Sequence, residues 1–105
     1  MTKPEVFNML KTIGLPLAYD HFAEGEGPDP PFMVYLYPSA DNFAADGRPY
    51  FKQDVLHIEV YTDKKDISLE ERIEAVLERN GLFYAKSETW IPSEKLYEVL
   101  YETEV

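Results

Sequence analysis

The chain has 105 residues, 45% hydrophobic and 14% aromatic, which excludes a wholly disordered polymer and gives enough apolar mass for one packed domain over 1–105. It has no cysteine, so disulfides, thiolate nucleophiles and cysteine-ligated metals are excluded, and residence in a reducing cytoplasm fits. Twenty acidic residues against ten basic ones give a net charge of −10, a surface that repels phosphate backbones and argues against general nucleic-acid binding.

Solubility alone accounts for such a charge, but two functional uses are open to it. An acidic wall can line a channel through which DNA slides without sticking, or an acidic surface can imitate DNA at the basic site of another protein. No apolar run approaches the roughly 20 residues that span a bilayer, so no membrane partner is expected. The opening MTKPEVFNMLKTIG has Lys3 and Lys11 but no uninterrupted apolar core, and it does not read as a signal peptide.

Residues 3–13 are expected to form a short helix. Pro4 suits its first turn, and Val6, Phe7, Leu10 and Ile13 fall on one face. Gly14 ends the run and Pro16 forbids its continuation. Leu15 to Phe22 reads as a short extended segment. The following AEGEGPDPP, Ala23 to Pro31, has two glycines, three prolines and three acids, and is a loop.

Phe32 to Tyr37, FMVYLY, is a strand candidate apolar on both faces. Pro38 to Pro49 reads as a polar connector with a turn at Asp46-Gly47, and the next strand runs from about Tyr50 to Thr62. There Leu56, Ile58 and Val60 alternate with His57, Glu59 and Tyr61 at period two. After TDKKD, Ser68 and Glu71 match the S-x-x-E capping box. Leu69, Ile73, Val76, Leu77 and Asn80 trace one helical face, and Gly81 fits the left-handed position after the last turn. Leu82 to Trp90 and Lys95 to Thr103 read as two more strands joined at IPSE. In the last, Tyr97, Val99 and Tyr101 oppose Glu98 and Glu102. The fold class expected is α+β: an antiparallel sheet of four or five strands with two helices, in the order α-(β)-β-β-α-β-β.

Groups that carry chemistry are scarce. His21 and His57 are the only histidines and form no H-x-x-x-H pair, so no metal centre is expected. Ser39, Ser68, Ser87 and Ser93 lack a G-x-S-x-G elbow. Asp41 and Asp46-Gly47 lack the spacing and terminal glutamate of a calcium loop. The acid pairs Glu24/Glu26 and Asp63/Asp66 fall in loops, and Glu70/Glu71 complements a helix N-terminus. No glycine cluster forms a phosphate loop. The expectation is a protein without catalysis or cofactor. Tyrosines 35, 37, 50, 61, 97 and 101 all fall in strands, which suits cross-strand packing and also protein–protein contact.

The order of elements, with PPFMVYLYPSADNFAADGRPYFK, HIEVYTDKKD and ETWIPSEKLYEVLYETEV, resembles small proteins from the tail-assembly region of Firmicutes siphophages and prophages. The likeness is to tail terminator or tail-completion proteins, and Pro31–Tyr37, Asn42–Tyr50, Glu59–Asp66 and Glu94–Tyr101 carry it. The resemblance implies a virion structural protein without an active site, a subunit of a hexameric ring between tail-tube and head-connector proteins. A monomer in isolation is compatible with it, as is a location in the host cytoplasm and then in the virion. Under it, the Ala23–Pro31 and Ala40–Pro49 loops are the candidate assembly contacts, with Glu24, Glu26, Asp29, Asp41, Asn42, Phe43, Asp46 and Arg48 as their residues.

Overall fold

Thr2 and Glu5 start the first helix, α1 (Lys3–Lys11). The Thr2 hydroxyl accepts from the Glu5 N–H at 3.3 Å and the Glu5 carboxylate accepts from the Thr2 N–H at 2.8 Å, a reciprocal capping box. The computed structural model describes residues 1–45 and 48–105, and within 41–45 and 48–52 the backbone alone. Its strands are β1 (Leu17–Tyr19), β2 (Phe32–Ala45), β3 (Arg48–Thr62), β4 (Tyr84–Ile91) and β5 (Leu96–Glu104). The second helix, α2 (Ile67–Arg79), lies between β3 and β4.

The five strands form one sheet in the order β1-β2-β3-β5-β4. The fold is α+β, as the sequence implies. The sheet is mostly antiparallel, but β1 runs parallel to β2 with Leu17, Ala18 and Tyr19 opposite Met33, Val34 and Tyr35. The first expected strand is thus three residues long.

Both helices cover one face of the sheet. Val6, Met9, Leu10 and Ile13 of α1 join Leu69, Ile73, Val76 and Leu77 of α2 over Met33, Leu56, Ile58, Val60, Val99 and Tyr101. Strand side chains alternate between faces, so His57, Glu59 and Tyr61 of β3 and Glu98, Leu100 and Glu102 of β5 point away from this core. Phe7, expected inside, is 40% exposed, and Met9 takes the buried position. The arc facing the sheet is centred on Val6, Met9, Leu10 and Ile13, and Phe7 lies on its flank.

The two ends of α2 differ in how well the sequence marks them. The N-cap is Asp66, whose carboxylate accepts from the Leu69 N–H at 3.0 Å; Ser68 lies inside the helix, which corrects the expected Ser68/Glu71 box. Aspartate and serine cap about equally well, and Asp66 adds negative charge at the positive end of the helix dipole. At the C-terminus Gly81 has φ +71°. The Leu82 N–H donates to the Leu77 carbonyl at 3.1 Å and the Gly81 N–H to Glu78 at 3.0 Å, the Schellman pattern.

The largest departure is in the expected connector. β2 does not end at Tyr37. It continues antiparallel to β3 through Ser39↔Val55, Asp41↔Gln53, Asn42↔Lys52, Phe43↔Phe51 and Ala45↔Arg48. Between Leu36 and Ser39, two residues of β2, Tyr37 and Pro38, face the single Leu56, a β-bulge that accommodates a proline without an amide hydrogen. The expected Asp46-Gly47 turn lies outside the described residues.

Candidate interaction surfaces

Three surfaces follow from this topology. The first is the outer part of the β2–β3 ribbon. β1 pairs with β2 only over Met33–Tyr35, and β5 pairs with β3 only over Val55–Thr62. The Asp54 and Val105 backbones exchange one further pair of hydrogen bonds, at 3.3 and 2.9 Å. Beyond that point β2 and β3 pair only with each other among the described residues, so both outer edges carry main-chain donors and acceptors without a ladder partner. Asp41, Asn42, Phe43 and Arg48 therefore belong to a paired ribbon and not to a loop. Main-chain pairing with β3 overrides the weak strand propensity of SADNFAA. Asp46 lies outside the described residues.

The second surface is the 20–31 connection, a loop as expected. Glu24, Glu26 and Asp29 are exposed, and the Glu26 N–H donates to the Ala23 carbonyl at 2.9 Å. Phe22 anchors the segment edge-on to Phe32 at 5.5 Å between ring centroids. The Asp20 N–H donates to the Tyr35 carbonyl of β2 at 2.8 Å, but among the described residues no hydrogen bond or ion pair joins Glu24, Glu26 or Asp29 to the outer part of the ribbon. The candidate contact residues thus form two separate groups.

The third surface is the one the sequence implies, since helices covering one face of the sheet leave the other to Tyr, His and Glu side chains. It is the sheet face opposite the helices, where three cross-strand rows lie side by side. They are Phe32–Tyr61–Glu98–Thr89, Val34–Glu59–Leu100–Ser87 and Leu36–His57–Glu102–Ala85. Phe32 stacks on Tyr61 at 5.1 Å, and Val34 is only 4% exposed although it lies outside the main core. His57 Nε2 meets the Glu102 carboxylate at 2.8 Å. The Glu59 carboxylate has one hydrogen bond, from the Tyr61 hydroxyl at 3.4 Å. Burial, then the nearby Glu98, raises the Glu59 carboxyl above the ordinary glutamate range. The Tyr61 hydroxyl is pushed up by burial and by the same two acids.

The helix side has the opposite electrostatics. Glu70 is 5% exposed and is held by Lys65 at 2.7 Å and Lys86 at 2.8 Å; Lys86 also reaches Glu74 at 2.7 Å, and Lys65 reaches Glu88. The buried Tyr101 hydroxyl donates to Glu74 at 2.7 Å. Burial alone would raise the Glu70 and Glu74 carboxyls, but the lysine hydrogen bonds outweigh it and both lie below the ordinary range. Lys65 and Lys86 are therefore occupied in fastening α2 to β4. No lysine or arginine among the described residues pairs with Glu59, Glu98 or Glu102.

At the β1–β2 edge Tyr19, Tyr35 and Tyr37 pack together with centroids 5.3–6.2 Å apart, and Lys3 lies over the Tyr37 ring at 5.1 Å. Burial first, then neighbouring Tyr35, pushes the Tyr37 hydroxyl up to about 12. At the end of the sheet nearest the ribbon, Phe83 is 93% exposed beside a shallow depression lined by Val55, Leu82, Glu102 and Glu104.

For the two histidines the arrangement is plain. His21 pairs with its neighbour Asp20 at 2.8 Å, and His57 with Glu102 across the strands. Among the described residues no three histidine, aspartate or glutamate side chains gather as metal ligands would. No helix among them is long and apolar enough to cross a membrane. No protein-family model and no curated protein matches the chain.

Proposed function

We propose that the chain is a non-catalytic assembly subunit of a bacteriophage tail, acting at the tail end or the head–tail junction as a tail terminator or completion protein. The observation that carries this reading is the β2–β3 ribbon, whose outer part pairs only with itself among the described residues and so offers two strand edges to neighbours. The resemblance of Pro31–Tyr37, Asn42–Tyr50, Glu59–Asp66 and Glu94–Tyr101 to tail-assembly proteins supports the same reading. In it the subunit forms a hexameric ring on assembly, meets tail-tube and head-connector proteins, and passes from the host cytoplasm into the virion. The charge of −10 suits a lumen crossed by DNA, since a non-adhesive wall needs no phosphate contacts. Deleting the gene from a phage that carries it is expected to give tails of abnormal length or heads without tails; normal virions would refute the proposal.

One observation favours a second reading, an acidic inhibitor that occupies a basic site on another protein. Glu59, Glu98 and Glu102 share one sheet face, and no lysine or arginine among the described residues is paired to them. This reading predicts a salt-sensitive complex with a basic enzyme. Recovery of phage structural proteins alone on the tagged chain would count against it.

A further inference from the structure

From the makeup of the open sheet face we infer that it is a docking site for a cationic amphipathic helix of another protein, with apolar side chains seated on Leu36 and Leu100 and lysines or arginines on Glu59 and Glu98. The two requirements come from adjacent positions in the register. Glu59 lies directly opposite Leu100, and Glu98 lies two residues away along β5 on the same face, opposite Tyr61. Glu59 and Glu98 are thus diagonal neighbours, about 7 Å apart on a sheet of ordinary geometry. Residues four apart on a helix have Cβ atoms about 5–6 Å apart, within the reach of two lysines that share a face.

The opposite face shows what such a cover consists of. There Leu69, Ile73, Val76 and Leu77 of α2 fill the sheet surface, while Lys65 and Lys86 neutralise the acids at its margin. The open face repeats the apolar-plus-acidic composition but, among the described residues, lacks both the helix and the lysines. Its charged and titratable groups are Glu59, Glu98, Glu102, Glu104, His57 and Tyr61, with Asp20 near enough to act on Glu59. Nucleic acid and anionic membrane are repelled by that set.

A second copy of this chain fits less well. Its net charge of −10 opposes self-association. The cations it would offer from α1, Lys3 and Lys11, already lie over its own Tyr37 and Phe7 rings at 5.1 and 5.4 Å, and those of α2, Arg72 and Arg79, stand beside the exposed acids Glu71 and Glu78. The inference holds for a tail subunit and for an inhibitor alike, so it rests on neither reading of function.

The test uses the full, isotope-labelled chain and a Leu/Lys peptide of about four helical turns with its lysines along one side. At physiological salt the peptide is expected to shift the backbone signals of Leu36, His57, Glu59, Glu98 and Leu100. E59Q/E98Q should bind it at least about tenfold more weakly. The control E71Q/E78Q removes the same charge from the exposed side of α2 and should bind as the wild type does. A thermal melt of E59Q/E98Q no lower than that of wild type separates lost binding from lost fold. The inference is overturned if E71Q/E78Q weakens binding as much, if a scrambled peptide of the same composition binds equally, or if the shifted signals map to α1 and α2. A dimer in sedimentation without peptide, with Leu36 and Leu100 protected in it, would overturn it in favour of a second copy.

Discussion

Substituting both Lys65 and Lys86 by methionine keeps most of each side chain's length and removes both cations from Glu70. A charge pair about 4 Å apart is worth about 4 kcal/mol at an effective dielectric near 20, an upper bound for each lysine. Both lysine side chains are more than one-third exposed, at 38% and 36%, so solvent screening cuts that figure towards the surface value of about 1 kcal/mol or less. K65M is therefore expected to cost about 1 kcal/mol. K86M, which also frees Glu74 at 2.7 Å, should cost about 1–2 kcal/mol. The double variant differs in kind, because it leaves a carboxylate that is 5% exposed without any cation, and a broken buried pair costs about 3–5 kcal/mol. It should exceed the sum of the single changes, and urea or thermal denaturation followed by circular dichroism reads it directly. At about 4–8 °C per kcal/mol for a domain of this size, the double variant melts some 12 °C or more below wild type. Adding E70Q to the double variant removes the stranded charge and should restore much of the loss. The sign with pH follows from the two lowered carboxyls. The stability contributed by Glu70 and Glu74 is present above their unfolded value near 4.3 and is lost as pH falls through their lower folded values. The gap between wild type and double variant should therefore narrow below about pH 4. A double variant within about 1 kcal/mol of wild type at pH 7, or a gap unchanged at low pH, would refute the reasoning.

Three further outcomes are expected. D66A should destabilise by about 0.5–2 kcal/mol while S68A stays within about 0.5 kcal/mol, since only Asp66 accepts the Leu69 N–H; equal losses in chemical denaturation would return the cap to Ser68. G81A should cost about 1–2 kcal/mol through its φ of +71° alone, because a Cβ built there meets nothing within 4 Å, and an unchanged melting temperature would contradict the Schellman ending. E59Q should raise the melting temperature at neutral pH. Burial and Glu98 raise the Glu59 carboxyl, so its stability contribution is present below the unfolded value near 4.3 and lost as pH rises through the folded one. The advantage of E59Q should fade in melts taken below pH 4, and a variant less stable than wild type at pH 7 would show that the Glu59 charge is needed for the fold.

What the sequence made legible is what its local rules encode. Period-two alternation in LHIEVYT separates Leu56, Ile58 and Val60 from His57, Glu59 and Tyr61, and the structure puts only the first three in the core. The left-handed Gly81 follows from its place after the last turn of α2. Features set by distant partners were not legible. Three residues of β1 carry too little periodicity to reveal that they run parallel to β2. The polar run 39–45 has only weak strand propensity of its own and is extended because β3 supplies its ladder. Glu70 reads as one of two acids in a first helical turn. Its burial between Lys65 and Lys86 depends on β4 arriving sixteen residues later in the chain, where no spacing rule reaches. The open face was legible as the Tyr, His and Glu side of the alternation, but not the register that sets Glu59 beside Leu100 and Glu98 beside Tyr61.

That register changes what the net charge of −10 means. Spread evenly, the charge would say only that the chain is soluble. The ion pairs divide it unevenly: Lys65 and Lys86 are drawn to the helix side by Glu70, Glu74 and Glu88, and His57 is the one basic group paired on the open face among the described residues. Burial and the nearby Glu98 consequently raise the cost of ionising Glu59 on a surface that also carries Phe32, Leu36, Tyr61 and Leu100. A lumen wall would place such acids in water, where they repel DNA and each other at little cost. Half-buried among apolar side chains, the Glu59 carboxylate destabilises the isolated chain, and a partner that brings cations and apolar area would remove both penalties together. The ribbon and the open face therefore ask for different neighbours, strand edges for one and a basic apolar surface for the other. Weakening the second with E59Q/E98Q should leave ribbon-dependent assembly intact.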